Sequence, residues 1–176
     1  MKRKVTRITE SRAKALDPAT LCPVARAAAV VGDRWTVLVL RELFAENHRF
    51  EEIQALTGAT PQMVAARLKT LEAEGLIARR AYSERPLRHG YHLTQKGEAF
   101  YPVILAMRAW GETWVKGPKE GRSLEFLHRN CGKPAGLGTV CESCGKPLKR
   151  ADLIGTYNPA YKAERDARLA AFKASR

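Results

Sequence analysis

Two short segments near the C-terminal end repeat one pattern of metal-ligating residues. Residues 128–134 read His-Arg-Asn-Cys-Gly-Lys-Pro, and residues 141–147 read Cys-Glu-Ser-Cys-Gly-Lys-Pro. Two residues between the ligands let a tight turn direct both side chains at one ion, and the glycine lets backbone N–H groups approach the thiolates. One histidine with three cysteines favours zinc, and four protein ligands leave no open coordination position. The pattern predicts a structural zinc site, with a metal-free loop as the alternative. Its ligands are His128, Cys131, Cys141 and Cys144.

Cys22 stands outside this pattern, directly before Pro23 at the start of a predicted helix. Unpaired N–H groups and the positive end of the helix dipole favour a thiolate there, and Arg26 adds a positive charge one turn later. Two interpretations stay open for Cys22. It is either a reactive thiol, and so a redox sensor, or a small buried apolar residue.

The charge of the whole chain indicates its partner. Its 31 Lys and Arg residues face 18 Asp and Glu residues, which gives a net charge of +13. A polyanion fits this excess, and nucleic acid is favoured over a membrane or an acidic protein. No stretch approaches the roughly 20 apolar residues of a membrane span. We therefore expect a cytoplasmic protein, in which thiols stay reduced and cysteines serve as metal ligands or reactive groups rather than disulfides.

Caps, prolines and glycines mark four helices in the first half of the chain, with predicted ranges of 23–31, 33–43, 49–56 and 60–74. Thr60 can cap the fourth helix and Pro61 suits its first position. Val64, Leu68 and Leu71 recur at helical spacing and should face the core. Because only a short glycine-containing turn separates the third and fourth helices, the pattern predicts a helix-turn-helix.

The segment after the fourth helix is predicted to form two strands and a long helix. The strands cover 76–82 and 90–93, and the basic loop 83–89 between them suits a wing better than a tight hairpin. Thr94 can cap the long helix, which should bend near Pro102 and end at a linker over 116–118. Together these elements favour a mainly α fold with a small β-hairpin, a winged helix-turn-helix, followed by a small zinc ribbon.

A helix of the length of 60–74 fits the major groove, and its solvent face can contact base edges. On that face Gln62 suits adenine and Arg67 suits guanine, while Met63 and Ala66 suit a thymine methyl. The alternative is the solvated face of an ordinary helix, but the order of elements in so basic a chain favours DNA. The candidate DNA contacts are Arg49, Thr60, Gln62, Met63, Ala66, Arg67, Lys69, Arg85 and Arg88.

Several motifs over about residues 22–115 closely resemble the MarR-like HxlR family of winged-helix regulators. They are CPV (22–24), GDRWT (32–36), LREL (40–43), RF (49–50), RL (67–68), LE (71–72), EGLI (74–77) and YHLTQKG (91–97). The resemblance implies a homodimer, a recognition helix starting near Thr60 and a wing near Arg85 and Arg88. It also implies transcriptional control in response to a stress or metabolite, and some relatives sense oxidants or electrophiles through a cysteine at the place of Cys22.

The long helix carries an apolar stripe that is too wide for its own small core to cover, so part of it should meet a partner subunit. The predicted dimer seam is Ile104, Met107, Trp110 and Trp114.

Three segments follow from these patterns. They are a flexible basic arm over 1–20, a winged-helix domain with its dimerisation helix over 21–116, and a zinc-ribbon-like extension with a basic C-terminal helix over 117–176.

We expect a homodimeric transcriptional regulator of double-stranded DNA that responds to a small molecule or oxidant. Two alternatives remain. A zinc-dependent enzyme is disfavoured because the chain has no phosphate loop, nucleophile elbow or H-E-x-x-H motif. An RNA-binding zinc ribbon protein is disfavoured because Trp35, Trp110 and Trp114 lie on apolar helix faces rather than on a stacking surface.

Overall fold

The computed structural model of the chain describes residues 20–117 and 119–175. The predicted basic arm falls, apart from Thr20, outside the described residues, and so does Pro118 of the predicted linker. No helix in the described ranges has the length and apolar character to cross a membrane.

Four helices open the fold, and their boundaries follow from local capping chemistry. They are α1 (Pro23–Val31), α2 (Arg34–Phe44), α3 (Phe50–Thr57) and α4 (Pro61–Ala73). Asp33 accepts hydrogen bonds from the first N–H groups of α2, and Thr60 accepts one from Met63 N of α4. Gly58, with φ of 71°, takes the left-handed conformation that ends α3 and starts the turn into α4. The four predicted helices and the helix-turn-helix are confirmed.

The α2, α3 and α4 helices pack around fully buried aliphatic side chains. Val39, Leu40 and Ile53 are 0% exposed, as are Val64 and Leu71 of α4. These residues recur at three- and four-residue steps, so each helix turns one apolar face inward and leaves the other in solvent. This packing fixes the angle at which α4 presents its outer face.

The strands β1 (Ile77–Glu84) and β2 (Leu87–Leu93) pair as an antiparallel hairpin. The predicted long loop over 83–89 is wrong, because pairing continues to Glu84 and Leu87 and leaves only Arg85 and Pro86 in the turn. The loop was expected from exposed polar side chains, but strand pairing is made by the backbone. A bulge between Ala81 and Ser83 shifts the register, and pairing continues beyond it to the turn.

The predicted long helix is divided. Thr94 caps α5 (Gln95–Glu98) as expected, and α6 (Tyr101–Trp110) follows after a break at Ala99 and Phe100. Pro102 in the first turn of α6 explains the break, since proline lacks an N–H and its ring blocks the preceding turn. The chain then completes one π-helical turn over Gly111–Val115.

Residues 119–175, here called the extension, form a three-stranded sheet and a final helix. The strand order is β4 (Lys133–Pro134), β3 (Leu124–His128), β5 (Leu153–Tyr157), and both pairings are antiparallel. A short 3-10 turn precedes β5, and α7 (Pro159–Ala174) is capped by Asn158, as its Asn-Pro start predicts. The fold class predicted from the sequence is confirmed.

Arginines attach the extension to the winged helix. Arg165 of α7 donates to both carboxylate oxygens of Glu42 in α2, at 3.0 and 2.7 Å. Arg168 donates to Leu56 O of α3, and Arg150 contacts Glu46 and Glu98. Arg108 of α6 donates to Gly136 O and Leu124 O of the extension. The buried apolar residues form one cluster that continues from α2 and α6 into the extension.

Candidate nucleic-acid interface and metal centre

The outer face of α4 is the first part of the candidate interface. Gln62, Met63, Ala66 and Lys69 are exposed there, opposite the buried face of the same helix. These four residues are called the reading face. Thr60 is exposed at its N-terminal end. The reading face therefore offers an amide, an ammonium group and two apolar groups to a partner that approaches the helix.

Arg67, predicted on the same face, lies in a different environment. Its Nε is 2.9 Å from Asp33 Oδ1, the oxygen that also caps α2, and its side chain is 35% exposed. This contact connects the N-terminus of α2 to the middle of α4. Arg67 thus contributes to helix packing in the free chain, and contact with a base requires it to leave Asp33.

The hairpin supplies the second part of the interface. Arg85 lies in its turn and Arg88 on β2, and both side chains are exposed. Arg49, just before α3, places its guanidinium 5.0 Å from the ring centre of Tyr82 on the bulged part of β1. The three arginines predicted outside α4 are therefore all associated with the hairpin or its contact with α3.

An apolar stripe on α6 and the following turn is exposed. Val103, Met107, Trp110 and Trp114 are 45%, 49%, 62% and 75% exposed, respectively. Three of these belong to the predicted seam, whereas Ile104 of that seam is partly buried and packs against the core. Val103 takes its place on the outer face. We call these four exposed residues the apolar stripe.

The four predicted zinc ligands lie together, and their ligand atoms are all within 4.8 Å of one another. His128 Nδ1 is 3.5 Å from Cys131 Sγ and 3.4 Å from Cys144 Sγ, and Cys131 Sγ is 3.8 Å from Cys141 Sγ. Tetrahedral zinc with Zn–S bonds of about 2.3 Å requires sulfur atoms about 3.8 Å apart. The donor set and its spacing therefore fit a four-coordinate ion.

The two knuckles have matching backbones. Gly132 and Gly145 follow the second ligand of each knuckle and adopt φ values of 67° and 72°. Gly132 N donates to His128 O, and Gly145 N donates to Cys141 O, both at 2.8 Å. An added Cβ would meet nothing within 4 Å at either glycine, so the left-handed backbone itself explains the residue type.

The environment of the cluster assists ionisation of one thiol. Burial opposes it, but backbone N–H groups of Ser143 and Cys144 and the neighbouring cysteine side chains lower the pKa of Cys141 to about 7. Burial raises the pKa of Cys131. One thiolate therefore forms near neutral pH, which suits the binding of a cation.

Cys22 is exposed, so the buried interpretation of this residue is wrong for the single chain. Its Sγ accepts a hydrogen bond from Ala25 N at 3.5 Å, which places the sulfur at the N-cap of α1. Arg26, expected to add positive charge beside the sulfur, donates instead to Thr20 O at 2.6 Å.

The Glu42–Arg165 pair is a central contact that the sequence pattern did not predict. Glu42 recurs with the apolar residues of α2 at helical spacing, which places it on the inner face of the helix, but the sequence pattern assigns no partner to it. The signal was present, since a carboxylate on an apolar helix face requires a buried cation. Nothing local identified Arg165 among the arginines of α7.

Comparison with known proteins gives a family match. A profile described as HxlR-like helix-turn-helix matches residues 30–119, about half of the chain. The uncharacterised HTH-type transcriptional regulator Mb3122 of Mycobacterium bovis is 33% identical over 141 residues, which are 80% of this chain and 89% of the relative. The regulator sll1512 of Synechocystis is 36% identical over 97 residues, which are 54% of this chain and 72% of the relative.

Two solved structures are also similar. PA1607, described as a candidate transcription factor, is 34% identical with a TM-score of 0.62, over 76% of this chain and 93% of that chain. The redox regulator HypR in its oxidised form is 31% identical with a TM-score of 0.50, over 52% of this chain and 96% of that chain. The Mb3122 and PA1607 matches each cover more residues than precede the extension, so both include part of it.

Proposed function

The chain belongs to the HxlR-like helix-turn-helix family of transcriptional regulators, and from that premise we propose that it binds a two-fold symmetric site on double-stranded DNA as a homodimer. The observation that supports this most directly is the reading face, an exposed polar and apolar surface on a helix whose other side is fixed in the core. One α4 covers only a few base pairs. Two of them, about 34 Å apart in a dimer, give a site of useful length.

We assign base contacts to Gln62, Met63 and Ala66 of the reading face, and phosphate contacts to its Lys69 and to the side chains around it. Gln62 suits adenine, and Met63 with Ala66 suits a thymine methyl. Cationic and hydroxyl side chains around them suit phosphates, namely Arg49, Thr60, Lys69, Arg85 and Arg88.

The experiment measures fluorescence anisotropy with a duplex selected from fragmented genomic DNA and with a random duplex. Gln62→Ala should cost about 1–3 kcal/mol on the selected duplex and less on the random one, whereas Lys69→Ala should weaken both similarly. Lys162→Ala, on an exposed α7 side chain, is the matched control. Equal losses on both duplexes for Gln62→Ala would remove it as a base reader.

We propose that Arg67 breaks its contact with Asp33 when DNA binds and then donates hydrogen bonds to a guanine. Arg67→Ala should then cost about 1–3 kcal/mol on the selected duplex. Asp33→Asn keeps a capping side chain but weakens the hold on Arg67, so it should tighten specific binding. A weaker complex with Asp33→Asn would assign Arg67 to helix packing alone.

We propose that the metal cluster, the set of four ligands His128, Cys131, Cys141 and Cys144, binds one zinc ion and that this zinc has a structural role. The set of one imidazole and three thiolates matches closed zinc sites, and all four donors come from the protein. Bound zinc would supply folding energy to the extension without taking part in a reaction. Metal analysis of freshly reduced protein should find one zinc per chain.

We propose Cys22 as the input for an oxidant or electrophile. Its exposure and N-cap position support this role, as does the similarity to the redox regulator HypR. Diamide should change DNA affinity reversibly, and the change should be absent in Cys22→Ser. Zinc content must be monitored in parallel, because oxidation of the cluster thiols would release the ion and mimic a response.

A further inference from the structure

A cavity of about 660 Å³ lies between the winged helix and the extension. This volume is typical of small-molecule sites. Its walls come from α2, α6, β3, β5 and α7, so neither half of the chain forms it alone. The apolar part of the lining includes Phe44, Tyr101, Leu105, Leu124, Phe126 and Leu153.

The polar lining is strongly cationic. Five arginines border the cavity, against two carboxylates, Glu46 and Glu112. Both carboxylates already have cationic partners, Arg150 and Lys116. Arg150 also binds Glu98, and Arg41 and Arg165 share Glu42. The cavity therefore has cationic walls in which most charges are already paired.

Arg108 differs from these paired arginines. Within the described ranges it forms no ion pair with a carboxylate, and its two hydrogen bonds go to backbone carbonyl groups of Leu124 and Gly136. Its Nε is buried with no acceptor, and its guanidinium lies 4.8 Å from the ring centre of Phe126. Burial lowers the pKa of Arg108, but arginine remains charged in proteins. Among the described residues, Arg108 is thus a half-buried cation beside a cavity with no carboxylate in salt-bridge contact; Glu112 and Glu125 act on its charge only from a longer distance.

We propose that this cavity binds a small organic carboxylate with an apolar body, whose carboxylate pairs with Arg108. The aromatic and aliphatic walls suit a ring or a short alkyl chain. Tyr101 lies in the same lining, and burial raises its pKa to about 12, so its hydroxyl stays protonated and can donate to the anion. Cationic ligands are excluded by the arginines.

Binding at this place also reaches the DNA-binding machinery. Arg108 lies on α6 between Met107 and Trp110 of the apolar stripe, and the opposite cavity wall belongs to the extension. A bound acid would therefore fix α6 against the extension and can alter the separation of the two α4 helices in a dimer. The binding itself is independent of the proposed function, whereas this effect on DNA rests on it.

The test is calorimetric titration of the full zinc-loaded chain, without DNA, with benzoate, phenylacetate and hexanoate and their uncharged amides. At least one acid should bind, and its amide should bind at least about tenfold more weakly, because the charge-assisted pair is lost. Kd values above about 1 mM for all three acids would overturn the proposal, and so would equal binding of acid and amide.

Two variants locate the site. Arg108→Gln should weaken binding of the acid by about 10- to 100-fold. Arg79→Gln, which changes an exposed arginine of the hairpin, should leave the affinity for the acid unchanged. Leu124→Trp keeps Arg108 but narrows the cavity, so it should weaken binding of whichever of the three acids binds the parent chain. Unchanged binding of that acid in Leu124→Trp, or in a folded Arg108→Gln, would overturn the assignment.

Anisotropy with the selected duplex then gives a separate readout of the effect on DNA. Acid binding without any change in DNA affinity would leave the cavity as a ligand site and would refute only its role in regulation.

Discussion

Glu42 has a side chain that is 0% exposed and carries a charge, which makes it an unusual residue of the core. Burial by itself raises its pKa, but hydrogen bonds and charges from Arg165 and Arg41 outweigh burial and hold the pKa below its ordinary value of 4.5. The folded chain therefore binds fewer protons at Glu42 than the unfolded chain. The stabilisation from this group is present above pH 4.5 and is lost as the pH falls through the lowered folded-state pKa.

Glu42→Gln should lower the free energy of unfolding at neutral pH by about 3–5 kcal/mol, because it leaves Arg165 buried without a charged partner. The difference from the parent chain should shrink as the pH falls below 4.5, since the parent then protonates Glu42. Urea unfolding followed by circular dichroism over a pH series measures both effects.

Glu164→Gln is the matched control for this prediction. It breaks the exposed pair with Arg168 and should cost less than about 1 kcal/mol. Similar losses from the two substitutions would contradict the special role of Glu42.

Individual residues were predictable from the sequence where their role is local. The four metal ligands follow from a repeated spacing, and Asp33 and Thr60 follow from capping chemistry. The partners of Glu42 and Arg67 were not predictable, because both pairs form only through tertiary packing. Glu42 pairs with Arg165, and Arg67 pairs with Asp33.

The contact between α5 and the hairpin depends on Gly97. A Cβ at this residue would lie 2.1 Å from Leu76 O, a backbone atom just before β1. Thr94 strengthens the same junction, because its hydroxyl donates to Gly75 O at 2.6 Å and accepts from Gly97 N. The junction sets the direction in which the chain leaves the hairpin toward α6.

Gly97→Ala should therefore destabilise the fold by about 1–3 kcal/mol, the usual cost of forcing an extra carbon into a packed site. Gly111→Ala provides the control, because its added Cβ meets nothing within 4 Å and its backbone is helical. That variant should be neutral or slightly more stable. Thermal unfolding of both variants measures this difference in stability. An equal loss of stability in the two variants would be evidence against the close approach at Leu76.

Zinc removal should loosen the extension more than the helix-turn-helix. The metal cluster joins the end of β3 to both knuckles, and structural zinc supplies folding energy to the part that it crosslinks. After chelation, hydrogen exchange should accelerate in β3 and β5 and remain slow in α2 and α4, which have their own buried faces. Readdition of zinc should restore protection, and equally fast exchange throughout the chain would contradict a local role.

Element boundaries show where sequence reasoning succeeds and where it fails. Helices α1, α2, α4 and α7 each begin at a capping side chain, and all of these except α2 have a proline in the first turn, so neighbouring residues fix where they start. The hairpin extends further than predicted, because its pairing depends on the backbone and a bulge. The docking of α7 on α3 involves residues far apart in the chain, and no local periodicity specifies it.

On the scale of the whole molecule, the apolar stripe and α1 point to a second copy of the chain. Helix α1 buries no residue, and Val24 on it is 74% exposed. Exposed apolar patches of this kind mark interaction sites. The dimer that we propose would cover both.

Met107→Glu should raise the dimer dissociation constant by a factor of about ten or more, because it places one carboxylate from each subunit in the apolar seam. Leu87→Glu makes the same kind of change on an exposed apolar residue of the hairpin and should leave the dimer intact. Sedimentation velocity over a dilution series measures both. A Met107→Glu chain that stays dimeric with unchanged affinity would move the seam elsewhere.

The pairing of Glu42 with Arg165 has a consequence for synthesis of the chain. Its two members are 123 residues apart, so at ordinary translation rates Glu42 leaves the ribosome on the order of ten seconds before its partner exists. Until then only Arg41 and Asn47 are available to the carboxylate. A nascent or prematurely terminated chain therefore contains a helix-turn-helix with an under-compensated charge in its core. Such fragments should be preferred substrates for cellular proteases. Only chains that include α7 reach full stability, because α7 supplies Arg165.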